Sequence, residues 1–320
     1  MMTDDAIELP DFASIEAAAL RIASHVHHTP VLHSRSLDSL AGVELLFKCE
    51  NLQRVGAFKF RGACNAVWAL TDAEAALGVV THSSGNHGAA LALAARTRGI
   101  AAHVVVPKGA VKSKLVAIEA YGAVLHRCAP SMAAREEMAE RVRAETGAHL
   151  VHPFTDPRVV AGQGTAALEL IREVGVLDDL VAPIGGGGLI GGSAIAAHAL
   201  APDMRIHAAE PTGAGDAFES LRRGTRVTDI KPDTICDGLR GVIGPINFAI
   251  LRKYAIDVLP VDDRDTLFAM RLIFERLKLV VEPSAAIALG AILSHRDRFA
   301  GRRIGVILSG GNVDLDVLPW

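Results

Sequence analysis

What this sequence has little of narrows its function before any motif is read. Aromatic residues make up only 4% of the chain, too few for the stacking platforms that bind single-stranded nucleic acid. The formal net charge is −3, with neither the basic footprint of a phosphate-backbone binder nor a long acidic tail. The four cysteines, Cys49, Cys64, Cys128 and Cys236, lie far apart and form no Cys-x-x-Cys pair. They read as reduced, mostly buried thiols rather than as a zinc site. No apolar run approaches the roughly 20 residues needed to span a bilayer. The opening Met1-Met2-Thr3-Asp4-Asp5 is acidic where a secretory signal would be positive, which predicts a cytoplasmic location. Repeats, low-complexity tracts and Gly/Ser linkers are also missing, so any domains are expected to be interleaved rather than strung in series.

What is present is a chain of 320 residues, half of them apolar, long enough for two domains. Short β-branched runs at 45–49, 79–82, 103–106, 124–127, 180–184, 206–209 and 304–308 are apolar at nearly every position, which suits strands buried on both faces. Stretches of helical composition or spacing lie between them, including 87–98, 133–145, 166–174, 189–200 and 266–277. This alternation predicts an α/β protein with mainly parallel, doubly wound sheets. The expected division is a large domain of residues 1–76 and 151–320 and a small one of 77–150.

Three turns stand at the ends of expected strands, where open parallel sheets place their ligands: Ser83-Ser84-Gly85-Asn86-His87, Gly185-Gly186-Gly187-Gly188 and Ser309-Gly310-Gly311-Asn312. The four glycines end a strand and open a helix, so their N–H groups can converge on one anion, and a phosphate fits. Seen alone, they also read as a flexible turn. They do not spell Gly-x-Gly-x-x-Gly, because Ile190 fills the third slot, and no Walker lysine follows, which weakens dinucleotide and nucleoside-triphosphate readings. Lys59 sits between Phe58 and Phe60 in Gly56-Ala57-Phe58-Lys59-Phe60-Arg61-Gly62-Ala63. A lysine that forms an imine has to be partly desolvated, which apolar neighbours favour, although a single lysine in such a segment is more often a surface residue.

Context decides between these. The lysine segment, Ser83-Ser84-Gly85-Asn86-His87-Gly88, Ala161-Gly162-Gln163-Gly164-Thr165, the tetraglycine loop, Ala208-Ala209-Glu210-Pro211 and Leu308-Ser309-Gly310-Gly311-Asn312-Val313-Asp314 occur in that order. Together they resemble the serine racemase and serine/threonine dehydratase family of pyridoxal-phosphate enzymes, of the tryptophan-synthase β-subunit fold group (fold type II). The likeness runs from about His28 to Asp314.

The resemblance implies a cofactor in a cleft between two lobes. Lys59 carries pyridoxal 5′-phosphate as a Schiff base, Phe58 packs against its ring and Asn86 bonds its 3′-hydroxyl. Gly185, Gly186, Gly187 and Gly188 hold the phosphate, and Ser309 faces the pyridine nitrogen, where a neutral serine makes a weaker electron sink than an aspartate. The substrate carboxylate would lie on Ser83, Ser84, Asn86 and His87, with Lys59 taking the α-proton. Ser84 stands where racemases of this family carry a second acid/base. Arg135 reads on its own as an exposed helix residue. The racemase branch has an arginine there that can approach a second substrate carboxylate. Glu210 and Asp216 read alone as a solvated acidic loop, whereas the resemblance makes them, with the Ala214 carbonyl, a Mg²⁺ or Mn²⁺ site.

The expected activity is therefore conversion of serine or threonine to a 2-keto acid and ammonia, with serine racemase or L-threo-3-hydroxyaspartate ammonia-lyase as close alternatives. A β-replacement synthase is the alternative from a different class. A small amino acid as substrate and a homodimer are expected, without nucleic acid or membrane. The chain departs from many family members at Ala57, where a serine is usual, which puts fine substrate preference in question. The six residues beyond Asp314 leave no room for the regulatory domain of biosynthetic threonine dehydratases, which points to a catabolic role.

Overall fold

The computed structural model describes residues 9–110 and 112–317. Met1 to Asp5, which bear on the expected location, lie outside the described residues. The strands are β1 (Val31–His33), β2 (Glu44–Cys49), β3 (Val79–Thr81), β4 (Ala102–Pro107), β5 (Val124–Cys128), β6 (His149–Leu150), β7 (Asp179–Pro183), β8 (Arg205–Pro211), β9 (Asp257–Val261) and β10 (Arg303–Leu308). The helices are α1 (Phe12–Ile22), α2 (Arg35–Ala41), α3 (Lys59–Trp68), α4 (Asp72–Ala76), α5 (Asn86–Arg98), α6 (Lys112–Ala120), α7 (Met132–Thr146), α8 (Pro157–Val174), α9 (Gly188–Leu200), α10 (Asp216–Arg223), α11 (Pro245–Lys253), α12 (Asp263–Leu277) and α13 (Pro283–Ser294).

Two sheets form, one of six strands in the order β1-β2-β10-β7-β8-β9 and one of four in the order β5-β4-β3-β6. All pairs are parallel except β1 with β2. Every strand of the smaller sheet comes from residues 79–150.

Side-chain alternation explains why the large sheet is covered twice. Leu180 and Ala182 of β7 pack into a cluster with α8 and α9, while Val181 between them faces a cluster built by α12 and α13. Leu46 of β2 and Ile307 of β10 join the first cluster; Leu45, Phe47, Val306 and Leu308 join the second. Strands with apolar residues on both faces need helices on both sides. The runs expected as strands are the six central ones and β5, an edge of the smaller sheet. β9 escaped notice because it contains Pro260, and a proline is tolerated here because β9 is an edge strand, paired only with β8. β1 and β6, of three and two residues, are too short to show a period.

α8 begins nine residues before the 166–174 stretch that the spacing suggests, capped by Asp156 and opened by Pro157. Glycines disguised its first half, and the structure shows their use in close helix packing. A Cβ at Gly162 would lie 2.6 Å from the Gly62 Cα of α3, and one at Gly164 would lie 2.7 Å from the Gly192 carbonyl of α9. The Gln163 side chain between them accepts a hydrogen bond from Gly62 N at 3.1 Å. Gly162→Ala is therefore predicted to destabilise the fold by about 1–3 kcal/mol through overpacking, read as a lower midpoint in urea unfolding with helix content retained.

Candidate active site

The end of β10 positions Lys59. Phe58 N donates to the Ser309 carbonyl at 2.9 Å, and Ala57 pairs with Gly310 in an antiparallel bridge, so the two residues before the lysine form a seam with the loop after the strand. Two residues after it, fully buried Arg61 grips Glu50 through Nε and Nη2 (2.7 and 2.8 Å) and Glu169 of α8 through Nη1 and Nη2 (2.7 and 2.8 Å). Paired twice in bidentate fashion, the guanidinium locks the first turn of α3 onto the sheet and onto α8. The Lys59 amine then points into the cleft, where Nζ donates to the Pro153 carbonyl at 2.9 Å. Burial lowers its pKa to about 8, against an opposing pull from the Glu282 carboxylate. It is therefore a desolvated amine and not the surface lysine that its segment alone would suggest.

The glycine loop faces it. Gly187 has φ +89°, a left-handed conformation suited to glycine. A Cβ on Gly186 would lie 2.3 Å from the Phe154 ring, and one on Gly187 would lie 2.5 Å from Ile243. No side chain fits here, so backbone amides at the N-terminus of α9 form the wall, an arrangement that favours an anion. The Asn247 amide holds the loop from behind, donating to the Gly186 carbonyl at 2.5 Å and the Phe154 carbonyl at 2.8 Å.

The loop after β3 closes the other side. Asn86 Nδ2 donates to both oxygens of Glu282 at 3.1 Å, and its Oδ1 accepts from Asn312 at 3.0 Å, so the side chain bridges the small sheet to the large one. His87 is buried, and desolvation, followed by the nearby Lys59 charge, keeps its pKa well below the ordinary value. Its Nε2 lies 3.4 Å from the Val151 carbonyl. Half-buried His152 is pushed down to about 3 by desolvation, then by His82 and Lys59, so neutral imidazoles lie on this side of the amine.

Phe58, Lys59, Ser83, Ser84, Asn86, His87, Arg135, Gly185 to Gly188 and Ser309 all line this one cleft of about 530 Å³. Arg135 departs from its reading as an exposed helix residue: it is half-buried, and its Nε is buried without a hydrogen-bond partner. Ser309 is buried and its Oγ lies 3.4 Å from the Ser284 carbonyl. Glu210, Ala214 and Asp216 do not line the cleft; they sit together at the start of α10. Glu210 accepts from Ala217 N and Phe218 N at 2.7 and 2.9 Å, and Asp216 from Ile243 N at 2.7 Å. Burial raises Glu210 to about 8 and Asp216 to about 6. Among the described residues no group of three or more His, Cys, Asp or Glu side chains could hold a metal. The four cysteines are free and buried.

Glu282, Asn247 and Phe154 were not singled out in the sequence. Glu282 left one usable signal, a lone carboxylate between Val280-Val281 and the apolar start of α13, which reads as a helix cap until the fold turns it toward Asn86.

A desolvated lysine, an anion cradle and a positively biased cleft, with Lys59, Lys108, Arg135 and Arg240 set against Asp237 and Glu282, define an enzyme site built for an aldehyde cofactor bearing a phosphate. The model of the "Pyridoxal-phosphate dependent enzyme" family matches residues 22–310, and the chain belongs to that family. It is similar to a beta-hydroxyaspartate dehydratase from Paracoccus denitrificans, with 47% identity over 98% of this chain and 99% of that one. It is also similar to a serine racemase from Arabidopsis thaliana, with 49% identity over 96% and 95%. The solved structure of maize serine racemase superposes with a TM-score of 0.94 at 46% identity, covering 97% of this chain and 95% of that one. Fold type II, expected from the motifs, is thereby established.

Because only the neutral amine attacks an aldehyde, the rate at which cofactor-free protein takes up pyridoxal phosphate is predicted to rise as pH passes upward through about 8. Stopped-flow absorbance measures it. Above that pH the rate should level off; a rate still climbing at about pH 10, as for an ordinary lysine of pKa about 10.4, would contradict a desolvated lysine.

Proposed function

We propose that this enzyme removes water and ammonia from a small β-hydroxy amino acid, releasing a 2-keto acid. The observation that supports this best is the Lys59 amine, depressed to about 8 and held on the Pro153 carbonyl, within one cleft with Ser84 and the glycine loop. When bound, the cofactor supplies the electron sink that makes the substrate α-proton acidic.

The remaining work falls to the chain's own residues. Phe58, Asn86 and Ser309 would hold the ring, and amides of Gly185 to Gly188 would hold the phosphate. Ser83, Ser84 and His87 supply donors for the substrate carboxylate, with His87 held neutral by burial. Lys59, once its amine is free, would be the base for the substrate α-proton. Ser84 offers a second hydroxyl for proton transfer, which would permit racemisation as a side reaction. Residues 77–150 act as the smaller of two domains, the enzyme works in the cytoplasm, and it assembles as a homodimer.

Arg135 favours one substrate among the candidates. A buried guanidinium nitrogen without a partner in the cleft is costly unless the substrate supplies an acceptor, and a β-carboxylate does so, as in 3-hydroxyaspartate. L-Serine, L-threonine and L-threo-3-hydroxyaspartate assayed for keto acid, with chiral analysis for D-serine, test both readings. Arg135→Ala is expected to raise KM for 3-hydroxyaspartate at least tenfold and leave that for serine within about threefold. No keto acid from any of the three overturns the lyase reading, and faster cysteine formation from O-acetylserine and sulfide would replace it with β-replacement.

Glu210, Asp216 and the Ala214 carbonyl are proposed as a site for Mg²⁺ or Mn²⁺. Two desolvated carboxylates, each bonded by backbone N–H groups and neither in a salt bridge among the described residues, suit a hard cation completed by waters. Chelation is expected to lower the Tm by several degrees and added Mg²⁺ or Mn²⁺ to restore it, since a ligand of the folded state stabilises it. An unchanged Tm with no metal detected by elemental analysis removes the site.

A further inference from the structure

Glu282 is a cleft residue to which neither the motifs nor the assigned roles give a task. Only 5% exposed, it is the residue preceding α13, and its carboxylate is confined from several directions. Asn86 Nδ2 donates to both of its oxygens. A Cβ at Gly310 would come within 2.9 Å of Oε1, and one at Gly238 within 3.7 Å. Gly310 is the residue bridged to Ala57, two positions before Lys59, so the lack of a side chain at 310 leaves the carboxylate room beside the root of the lysine.

The contact with Asn86 has two separable parts. As an acceptor, the carboxylate fixes the Asn86 amide with its N–H₂ toward Glu282 and its oxygen on Asn312 Nδ2, so the amide cannot turn over. As a charge, it lies in a cleft where cations outnumber anions and where its pull opposes the desolvation of Lys59. An anion confined in a low-dielectric site acts strongly on nearby protons.

We propose that Glu282 is a positioning residue with two tasks: its acceptor oxygens orient Asn86 toward the cofactor ring, and its negative charge keeps the proton on the Lys59 linkage to the cofactor. A protonated linkage is the electrophilic form that the substrate amine attacks, so the carboxylate prepares the resting enzyme for exchange rather than touching the reacting carbon. Among the described residues, the other titratable or charged side chains lining the cleft with Glu282 and Lys59 are His82, His87, Lys108, Arg135, Asp237 and Arg240; His152 and Cys236 do not line it but feel the Lys59 and Glu282 charges respectively. His87 and His152 are held neutral by burial, and Cys236 is pushed up to about 12. Glu282 and Asp237 are the two carboxylates among the described residues that line the cleft.

The inference rests on Lys59 being the cofactor lysine, and the test separates the two. Holoenzyme is titrated spectrophotometrically, following the yellow protonated linkage against pH, with cofactor affinity measured by fluorescence. Lys59→Ala comes first: if the linkage band persists and titrates, the lysine assignment falls on its own. With that assignment intact, Glu282→Gln keeps an acceptor for Asn86 but loses the charge. It is expected to keep cofactor affinity within about threefold while lowering the titration midpoint by at least one pH unit, a tenfold change in proton affinity. Glu282→Ala, which loses both, is expected to weaken cofactor binding at least tenfold as well. Glu282→Asp retracts the charge by one methylene and is expected to fall between wild type and Gln; it serves as the test should the Gln variant not fold. A wild-type titration midpoint in the Gln variant, or in the Asp variant if that is the one that folds, overturns the proposal.

Discussion

The site depends on how one helix is anchored. α3 begins at Lys59, and its orientation is set on both sides of that residue: by the backbone seam of Ala57 and Phe58 with Ser309 and Gly310, and by Arg61 clamped between Glu50 and Glu169. The second anchor is ionic and fully buried at Arg61 and Glu50. Removing one partner of such a network leaves an uncompensated charge and typically costs about 3–5 kcal/mol, so the pairs fix geometry at a risk to stability. The anchored geometry places a primary amine at the floor of a cleft, where burial depletes its proton.

Small residues extend this logic through the rest of the molecule. α8 touches α3 at Gly62 and Gly162 and touches α9 at Gly164 and Gly192, approaches that no Cβ would allow. α9 in turn carries the glycine loop at its N-terminus. The lysine and the anion cradle therefore sit on two helices held in register by the same central helix, which is how groups distant in sequence come to share one cleft. The loop after β3 enters from the smaller sheet and is joined to the larger one by the Glu282–Asn86–Asn312 chain of hydrogen bonds.

Much of this was legible in the sequence, because both sheets are built around central parallel strands whose apolar runs need no context. Asn86, the glycine loop and Ser309 stood out in turns at strand ends, where an open parallel sheet exposes its ligand positions, Lys59 in a segment carried by the family resemblance, and the fold brings all of them to one cleft. What stayed hidden had physical reasons. β9 carries a proline permitted by its edge position, and the first half of α8 was masked by glycines that serve helix contacts. Arg135 looked exposed because its helix is polar, and only the fold shows that the cleft reaches it. Glu282 and Asn247 matter through partners more than 50 residues away in sequence, which no local pattern reveals.

The central claim is that Lys59 is the residue joined to the cofactor. Reducing the holoenzyme with borohydride and mapping the modified peptide by mass spectrometry tests it most directly. The account predicts a single pyridoxyl group on the peptide containing Lys59. Label on another lysine, or none on a protein that still holds the cofactor, would contradict it.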